Sequence, residues 1–263
     1  MSTKKTLAGK VAVVTGSTQG LGAAIATLYV KEGAKVVLTG LSSADGNALA
    51  KTLGRNSIFE QTDLSRVDDC RRLIEVALKR FGQIDILVNN AVDATRATVD
   101  DVSPDMFDRI FAVNVRAPLL LAHHAIASLR RQSGVIINIG SINAFMGEPS
   151  LLVYAASKAA LQTASRNLAN YLKFDRVRVY CLNIGWMNSE GERMMMKQLG
   201  HPPDFLERQG QAWPLGRILK PAEVAEVALF VASGKAAPFS GQVIELEQFP
   251  TGALGAPKKG GLT

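Results

Sequence analysis

A tyrosine and a lysine stand four residues apart, at Tyr154 and Lys158. Residues at this spacing share one face of a helix, so a phenol and an ammonium group can meet in one site. A nearby cation favours the phenolate and lowers the pKa of a tyrosine from about 10. The pair therefore predicts a general acid and base, and the alternative is an ordinary pair on a helix surface.

Two further polar residues stand where a hydrogen-bonding group is useful. Ser141 follows a predicted strand at 134–139, where its hydroxyl could bind a substrate oxygen or simply close a turn. Asn114 interrupts an apolar helical pattern. Because asparagine disfavours helix interiors, it indicates either a local kink or a site residue.

A glycine-rich segment, TGSTQGLG at 15–22, follows the first apolar run. Glycines allow a tight turn and the close approach of a phosphate, and free N–H groups at the start of a helix attract an anion. The spacing is G-x-x-x-G-x-G rather than G-x-G-x-x-G. The segment predicts phosphate binding, with a purely steric use of glycine as the alternative.

An alternation of strands and helices must position these residues. Apolar, β-branched runs predict buried strands at 11–15, 35–39, 57–60, 84–88, 134–139, 177–182 and 242–246. Helical patterns cover 21–32, 66–81, 104–129 (bent near Pro118), 150–173 and 221–232. The alternation predicts one doubly wound α/β domain with a parallel sheet between two layers of helices. Ligands bind beyond the carboxyl ends of strands in such sheets.

Composition excludes several classes of protein. The 263 residues are 47% hydrophobic with a formal charge of +7, which is typical of a folded globular domain. Two cysteines exclude a disulfide framework, and the lack of a Cys/His cluster predicts no metal. We expect a cytoplasmic protein without a membrane segment, because no apolar run approaches about 20 residues and no secretory leader precedes the first strand. Five lysines near the two ends, Lys4, Lys5, Lys10, Lys258 and Lys259, account for most of the excess positive charge, and this distribution favours an anionic small ligand over nucleic acid.

Taken together, the motifs resemble the short-chain dehydrogenase/reductase family. The resemblance covers about residues 7–247 and rests on the order and spacing of Thr15-Gly16-x-x-x-Gly20-x-Gly22, Asp63-Leu64, Asn89-Asn90-Ala91, Asn114, Ser141, Tyr154-x-x-x-Lys158 and Asn183-x-Gly185. It implies a seven-stranded parallel Rossmann sheet in a single domain at 1–248, with a small mobile lid at about 187–217. Residues 249–263, rich in glycine and proline, are predicted to form a flexible C-terminal tail.

The family implies hydride transfer between a nicotinamide cofactor and a secondary alcohol or ketone. By position, Tyr154 would protonate the carbonyl oxygen in reduction or accept the hydroxyl proton in oxidation. Lys158 would lower the pKa of Tyr154 and bind the nicotinamide ribose. Ser141 would polarise the substrate oxygen, and Asn114 would hold a water that links Lys158 to solvent.

The resemblance also implies the cofactor contacts. Apart from Tyr154 and Lys158, these are Gly16, Ser17, Gly20, Leu21 and Gly22 around the pyrophosphate and its ribose, Asp63 and Leu64 at the adenine, Asn90 and Ala91 at the adenine-side ribose, and Gly185, Met187 and Ser189 at the carboxamide.

The end of the second strand bears on the choice between NAD and NADP. An acidic residue there binds the ribose 2′-OH of NAD, and this chain has Gly40 instead. Leu41 stands where a phosphate-binding arginine is common, and Ser42 and Ser43 would either bind a 2′-phosphate or cap the next helix. The missing acid and the positive net charge favour NADP(H) over NAD(H).

The substrate class and the alternatives to an enzyme stay open. The pocket would be apolar if Trp186, Met194, Met195, Met196 and Trp213 line it, or suited to a sugar or polyol if Glu190, Glu192, Arg193 and His201 do. Phe145, Met146 and Glu148 are further candidates. Family habit and the apolar run 112–127 predict a homotetramer. The alternative functions are a non-catalytic dinucleotide-binding regulator or assembly subunit, and a nucleic-acid binder that uses the basic ends.

Overall fold

The computed structural model describes residues 5–249. The strands are β1 (Val11–Val14), β2 (Lys35–Gly40), β3 (Ser57–Gln61), β4 (Ile86–Asn89), β5 (Val135–Ser141), β6 (Arg178–Ile184) and β7 (Val243–Leu246). The α-helices are α1 (Gly20–Lys31), α2 (Ser43–Leu53), α3 (Val67–Phe81), α4 (Pro104–Phe111), α5 (Ala117–Gln132), α6 (Leu152–Leu172), α7 (Glu190–Gln198), α8 (Phe205–Gly210) and α9 (Pro221–Ala232).

All seven strands pair in parallel, in the order β3-β2-β1-β4-β5-β6-β7. From β1 the chain adds β2 and β3 on one side of that strand, then returns to the other side of β1 and adds β4 to β7 there. The reversal between β1 and β4 opens a crevice at their carboxyl ends, where ligands bind in such sheets. The predicted seven-stranded, doubly wound sheet is confirmed.

Two apolar layers cover the sheet because consecutive strand residues point to opposite faces. Val14 and the strand residues on the same face of the sheet pack against α1, α2 and α9. Val13 and the strand residues on the opposite face pack against α3, α5 and α6. Tyr29 is fully buried, and its hydroxyl donates to the backbone oxygen of Ala228 at 2.9 Å, which joins α1 to α9. This packing holds the carboxyl ends of the strands in fixed positions.

The helix predicted at 104–129 is divided. A π-helical turn at Ala112–Arg116 separates α4 from α5 and contains Asn114, so the predicted bend lies just before Pro118. By length and composition the stretch Pro104–Gln132 would suffice to cross a membrane, contrary to our expectation that no segment would. In the structure α5 lies on the sheet with Leu121, Ala125 and Leu129 buried, as a core helix does.

Several boundaries differ from the sequence pattern. Ser141 is the last residue of β5 rather than the first residue beyond it, and β6 runs on to Ile184. The apolar pattern does not delimit α2, because the one buried residue of that helix is Gly46.

The lid segment 187–217 contains α7 and α8. Its buried residues Met196 and Leu206 pack with Ile218 in a small cluster of their own. A parallel bridge between Met187 and Leu219 closes the base of the segment. That the lid moves stays a prediction, and the predicted tail lies outside the described residues except for Phe249.

Candidate active site

Hydrogen bonds tie the glycine-rich turn after β1 to the end of β4. The buried Thr15 hydroxyl accepts from the backbone N–H groups of Asn90 (2.9 Å) and Ala91 (3.0 Å). The Asn90 side chain donates in return to the backbone oxygens of Thr15 and Gly16, at 2.9 and 3.0 Å. The two edges of the crevice are therefore held at a set separation.

The start of α1 faces this crevice and suits an anion. Gln19 precedes the helix without a side-chain cap from the described residues, and the first turn carries no acidic residue. A Cβ on Gly22 would lie 2.2 Å from the backbone oxygen of Gly16 and 2.6 Å from the Asn90 amide nitrogen, so only glycine fits there. The first N–H groups of α1 are thus left for a ligand, and the helix dipole favours a negative one.

Two adjoining cavities of about 940 and 620 Å³ form one long cleft along the carboxyl ends of the strands. They share Gly16, Asn90 and Arg96 in their walls. Of the residues predicted to bind a cofactor, the first cavity contains Gly16, Leu41, Ser42, Asp63, Leu64, Asn90 and Ala91. The second contains Gly16, Gly20, Leu21, Asn90, Tyr154, Lys158, Gly185, Met187 and Ser189.

Three predicted residues do not line the cleft. Ser17 is fully buried, and its hydroxyl accepts from the Thr39 backbone N–H at 2.9 Å, so it supports β2 instead of facing a ligand. Gly22 acts by steric fit, and Asn114 lies behind the wall. In place of Ser17, Thr18 and Gln19 line the cleft, and the glycine spacing carries no signal for these two positions.

Ser141, Tyr154 and Lys158 meet in the second cavity. Ser141 ends β5, and its hydroxyl oxygen accepts from the backbone and side-chain nitrogens of Asn143 at 3.1 and 3.3 Å. The Lys158 ammonium is buried and donates to the backbone oxygen of Ile139 at 2.7 Å. Two α6 residues and one strand end thus converge as the spacing predicts.

Asn114 joins three segments around this cluster. Its side-chain nitrogen donates to the Ser157 hydroxyl at 3.0 Å and to the Asp93 backbone oxygen at 2.9 Å. Its side-chain oxygen accepts from the Asp93 backbone N–H at 2.8 Å. The π-helical turn brings this side chain inward, since an extra residue in the turn redirects the helix face. Asn114 is therefore a positioning residue, and its binding of a water stays a prediction.

Burial sets the pKa values of both α6 groups. It raises the pKa of Tyr154, and a hydrogen bond with Ser141 only partly opposes that rise, while the negative charge of Glu192 adds to it. Burial lowers the pKa of Lys158 to about 8. The expected lowering of the Tyr154 pKa by Lys158 is not seen, because desolvation favours the neutral form of each group.

The first cavity contains the end of β2, where the sequence lacks an acidic residue. A Cβ on Gly40 would lie 2.7 Å from the Thr18 side chain, which leaves no room for a carboxylate. Ser42 caps α2, because its hydroxyl accepts from the Asp45 backbone N–H at 3.3 Å. Asp45 also lines this cavity, so a carboxylate is present one helical turn further on.

The lid and the adjoining Trp186 contribute both apolar and charged side chains to the second cavity. Trp186 and Trp213 line it, and the Trp186 indole donates to the Glu192 carboxylate at 2.7 Å. Of the three consecutive methionines only Met195 lines the cleft, since Met194 is exposed and Met196 is buried within the lid. The other polar candidates do not line it: Arg193 pairs with Glu207, His201 stacks on Phe205, and Glu190 starts α7.

Comparison with known proteins supports this assignment. Residues 16–248 match the family model described as enoyl-(acyl carrier protein) reductase. The chain is 34% identical to L-fucose dehydrogenase of Mus musculus over 226 residues, which cover 86% of this chain and 82% of the relative.

Two solved structures are similar to this one. One is L-sorbose reductase from Gluconobacter frateurii with NADPH and L-sorbose, with a TM-score of 0.89 and 27% identity over 95% of this chain and 100% of that one. The other is 3-ketoacyl-(acyl-carrier-protein) reductase from Brucella melitensis with NADH, with a TM-score of 0.81 and 32% identity over 91% of this chain and 97% of that one.

The cleft fits a dinucleotide on its own terms. The helix start at Gly20 offers N–H groups to a pyrophosphate, and Gly16, with φ +60° and no space for a Cβ against Ala91, lets a ligand approach the backbone. The cleft continues from there to Ser141 and Tyr154. With these residues in place across a matching fold, the chain belongs to the short-chain dehydrogenase/reductase family and is an NAD(P)-dependent oxidoreductase.

Proposed function

We propose that Tyr154 is the general acid and base of a hydride transfer between a secondary alcohol and a ketone. The observation that carries the proposal is the convergence of Tyr154, Ser141 and Lys158 on one cavity at the end of the cleft. When bound, the nicotinamide supplies or accepts the hydride. The chain itself must place the substrate oxygen and exchange its proton.

Each group has one task in this arrangement. The Ser141 hydroxyl hydrogen-bonds the substrate oxygen and stabilises the charge that develops on it. In reduction the Tyr154 hydroxyl donates its proton to that oxygen, and in oxidation the Tyr154 phenolate accepts the proton of the alcohol. An ordinary tyrosine is protonated at neutral pH, and burial raises the pKa of Tyr154 further, so the resting phenol is ready to act as an acid. Lys158 places a cation beside the cofactor ribose.

A Tyr154→Phe variant tests the assignment. Removing one hydroxyl should lower turnover by about 10²–10⁴-fold, the usual contribution of general acid–base catalysis. Cofactor affinity, followed by the fluorescence of Trp186 and Trp213, should stay within about threefold of the wild type. Tyr171→Phe is the matched control, because Tyr171 lies on the same helix and is exposed. Wild-type turnover in Tyr154→Phe would refute the role.

NADP(H) is proposed as the preferred cofactor. The absence of a carboxylate at Gly40 and the proximity of the start of α2, with Ser42 and Ser43, favour a 2′-phosphate. The Asp45 carboxylate in the same cavity disfavours a 2′-phosphate, because both groups are negatively charged.

Separate titrations with NADPH and NADH test the preference. NADPH should bind at least tenfold more tightly, which corresponds to about 1.4 kcal/mol. Asp45→Asn should widen that ratio, and Asp105→Asn, in the first turn of α4, should not. Tighter binding of NADH by the wild type would overturn the proposal.

The substrate is proposed to be a small polar carbonyl or alcohol. Charged and amide side chains of Arg96, Asn143, Glu148 and Glu192 stand beside the two tryptophans in the wall of the second cavity. A purely apolar ketone would leave the remaining hydrogen-bonding capacity of these groups unused. The relatives named for L-fucose and L-sorbose support a polar substrate.

Assembly as a homotetramer and a cytoplasmic location stay predictions. Exposed apolar side chains on α4, α5 and α6, namely Phe107, Leu119, Leu152 and Tyr171, support contact between copies of the chain. Sedimentation should give about four times the 28.1 kDa of one chain, and a monomer at micromolar concentration would refute the tetramer.

A further inference from the structure

Arg96 is a cation without a carboxylate partner in the wall of the active-site cleft. It lines both cavities and is partly buried. Among residues 5–249 no acidic oxygen lies within 4 Å of its guanidinium. Its one hydrogen bond within that range runs from Nη1 to the Ser150 hydroxyl at 2.7 Å.

That bond determines which edge of the guanidinium is left. Ser150 takes one of the five N–H groups, so four remain, and among these the Nε–H and one Nη2–H point in parallel. The Nε atom is buried and has no partner among the described residues. A buried donor without a partner is destabilising. Because protein atoms cover Nε, a ligand reaches it only when the guanidinium turns outward. Two parallel N–H groups are the geometry in which arginine binds a carboxylate through both oxygens.

The backbone holds Arg96 in register with the catalytic helix. A parallel bridge pairs Ala97 with Leu151, and the Ala97 N–H donates to the Ser150 backbone oxygen at 2.9 Å. The Leu152 N–H, at the start of α6, donates back to the Ala97 oxygen at 3.3 Å. Because α6 also carries Tyr154, the guanidinium and the phenol have a set relative position.

The neighbouring carboxylates make no direct contact with this cation, although its charge adds to the Ser150 hydrogen bonds in lowering the pKa of Glu148. Glu148 is exposed and accepts from the Ser150 hydroxyl at 2.7 Å, so it orients the serine that holds Nη1. Glu192 accepts from the Trp186 indole. A negative group on a ligand is therefore favoured beside Arg96 and disfavoured beside Glu192.

We propose that Arg96 is a specificity-determining residue that binds a carboxylate of the substrate, so that the physiological substrate is an oxo acid or hydroxy acid. This inference rests on the proposed function, since it concerns the same cavity. A cofactor phosphate offers the same anionic chemistry to Arg96, and the test below separates the two sources.

Matched pairs of ligands test the inference: acetoacetate and 4-oxopentanoate against their methyl esters. Binding to the full chain with saturating NADP⁺ is followed by the fluorescence of the cavity tryptophans at constant ionic strength, and reduction is followed with NADPH. The wild type should bind and reduce at least one acid tenfold better than its ester. Arg96→Gln should abolish that difference, and Arg96→Lys should restore part of it. Arg131→Gln, exposed at the end of α5, is the matched control.

The outcomes separate the inference from the proposed function. Equal affinity of the wild type for acids and esters would overturn the inference while ester reduction still supports the enzyme. A tenfold loss of NADPH affinity in Arg96→Gln, with the acid preference retained, would assign Arg96 to the cofactor and overturn it as well. Arg96-dependent binding of an acid without any reduction would support the inference and count against the proposed reaction.

Discussion

Replacing Lys158 with methionine should remove a pH-dependent part of the free energy of unfolding. The ammonium is buried, and burial lowers its pKa from 10.5 to about 8 in the folded protein. Between pH 8 and 10.5 the unfolded chain holds a proton on this lysine that the folded chain has lost. The free energy of unfolding therefore rises with pH across this window: the stability is fully present above pH 10.5 and is lost as the pH falls to 8.

The size of the effect follows from the two pKa values. A shift of one unit is worth about 1.4 kcal/mol, so Lys158 should add about 2–3 kcal/mol to the stability between pH 7 and pH 10. Methionine has a similar volume and does not titrate. The wild type should thus gain that amount relative to Lys158→Met as the pH rises, whatever the offset caused by losing the bond to Ile139.

Urea unfolding without added cofactor, at steps from pH 7 to 10, measures this difference. Lys51→Met, on the exposed face of α2, is the control and should follow the wild-type profile. If the difference between the wild type and Lys158→Met changes by less than about 0.5 kcal/mol over the range, the ammonium is stabilised by a further group in the folded protein and its pKa is not lowered by burial.

Two further predictions concern the glycine-rich turn. Gly22→Ala should destabilise the fold by about 1–3 kcal/mol and weaken cofactor binding at least tenfold, because the new Cβ would lie 2.2 Å from the Gly16 backbone oxygen. Calorimetry measures the loss of stability and fluorescence titration the loss of affinity. Gly234→Ala, where the space around the new Cβ is open, is the control and should lose no stability. Thr15→Val should lower the free energy of unfolding by about 2–4 kcal/mol, measured with denaturant, because two backbone N–H groups lose the hydroxyl that accepts from them. Thr15→Ser should restore most of that stability. If it does not, the methyl group of Thr15 and not its hydroxyl stabilises the fold.

Much of the fold could be predicted because its cause is local. Buried parallel strands require unbroken apolar runs, and the runs at β1, β2 and β5 are unmistakable. The exposed helix α2 buries little apolar surface, so its sequence contains no strong periodicity. The ends of β5 and β6 were predicted too short, because polar residues such as Ser141 and Asn183 pair in the sheet as readily as apolar ones.

The site residues likewise divide into those that local sequence predicts and those that it does not. Tyr154 and Lys158 could be paired from spacing because one helix carries both, and the glycines could be read because the backbone shape there admits no side chain. The Ser17 side chain lies in the core and not in the cleft, since a residue in a turn faces one or the other according to how the neighbouring strand lies against it. Thr18 and Gln19 lie in the same turn, and the glycine spacing carries no signal for them.

Arg96 shows what residue types and spacing leave open. Nothing in the sequence around Arg96 indicates a site. Its placement depends on Ser150, fifty-four residues away, whose hydroxyl binds Nη1 in the wall of the cleft. The same holds for the pKa of Tyr154, where a neighbouring cation predicted a fall and burial produces a rise. Periodicity and spacing report on interactions within an element, whereas desolvation and the choice of hydrogen-bond partner depend on which distant segments the sheet brings together.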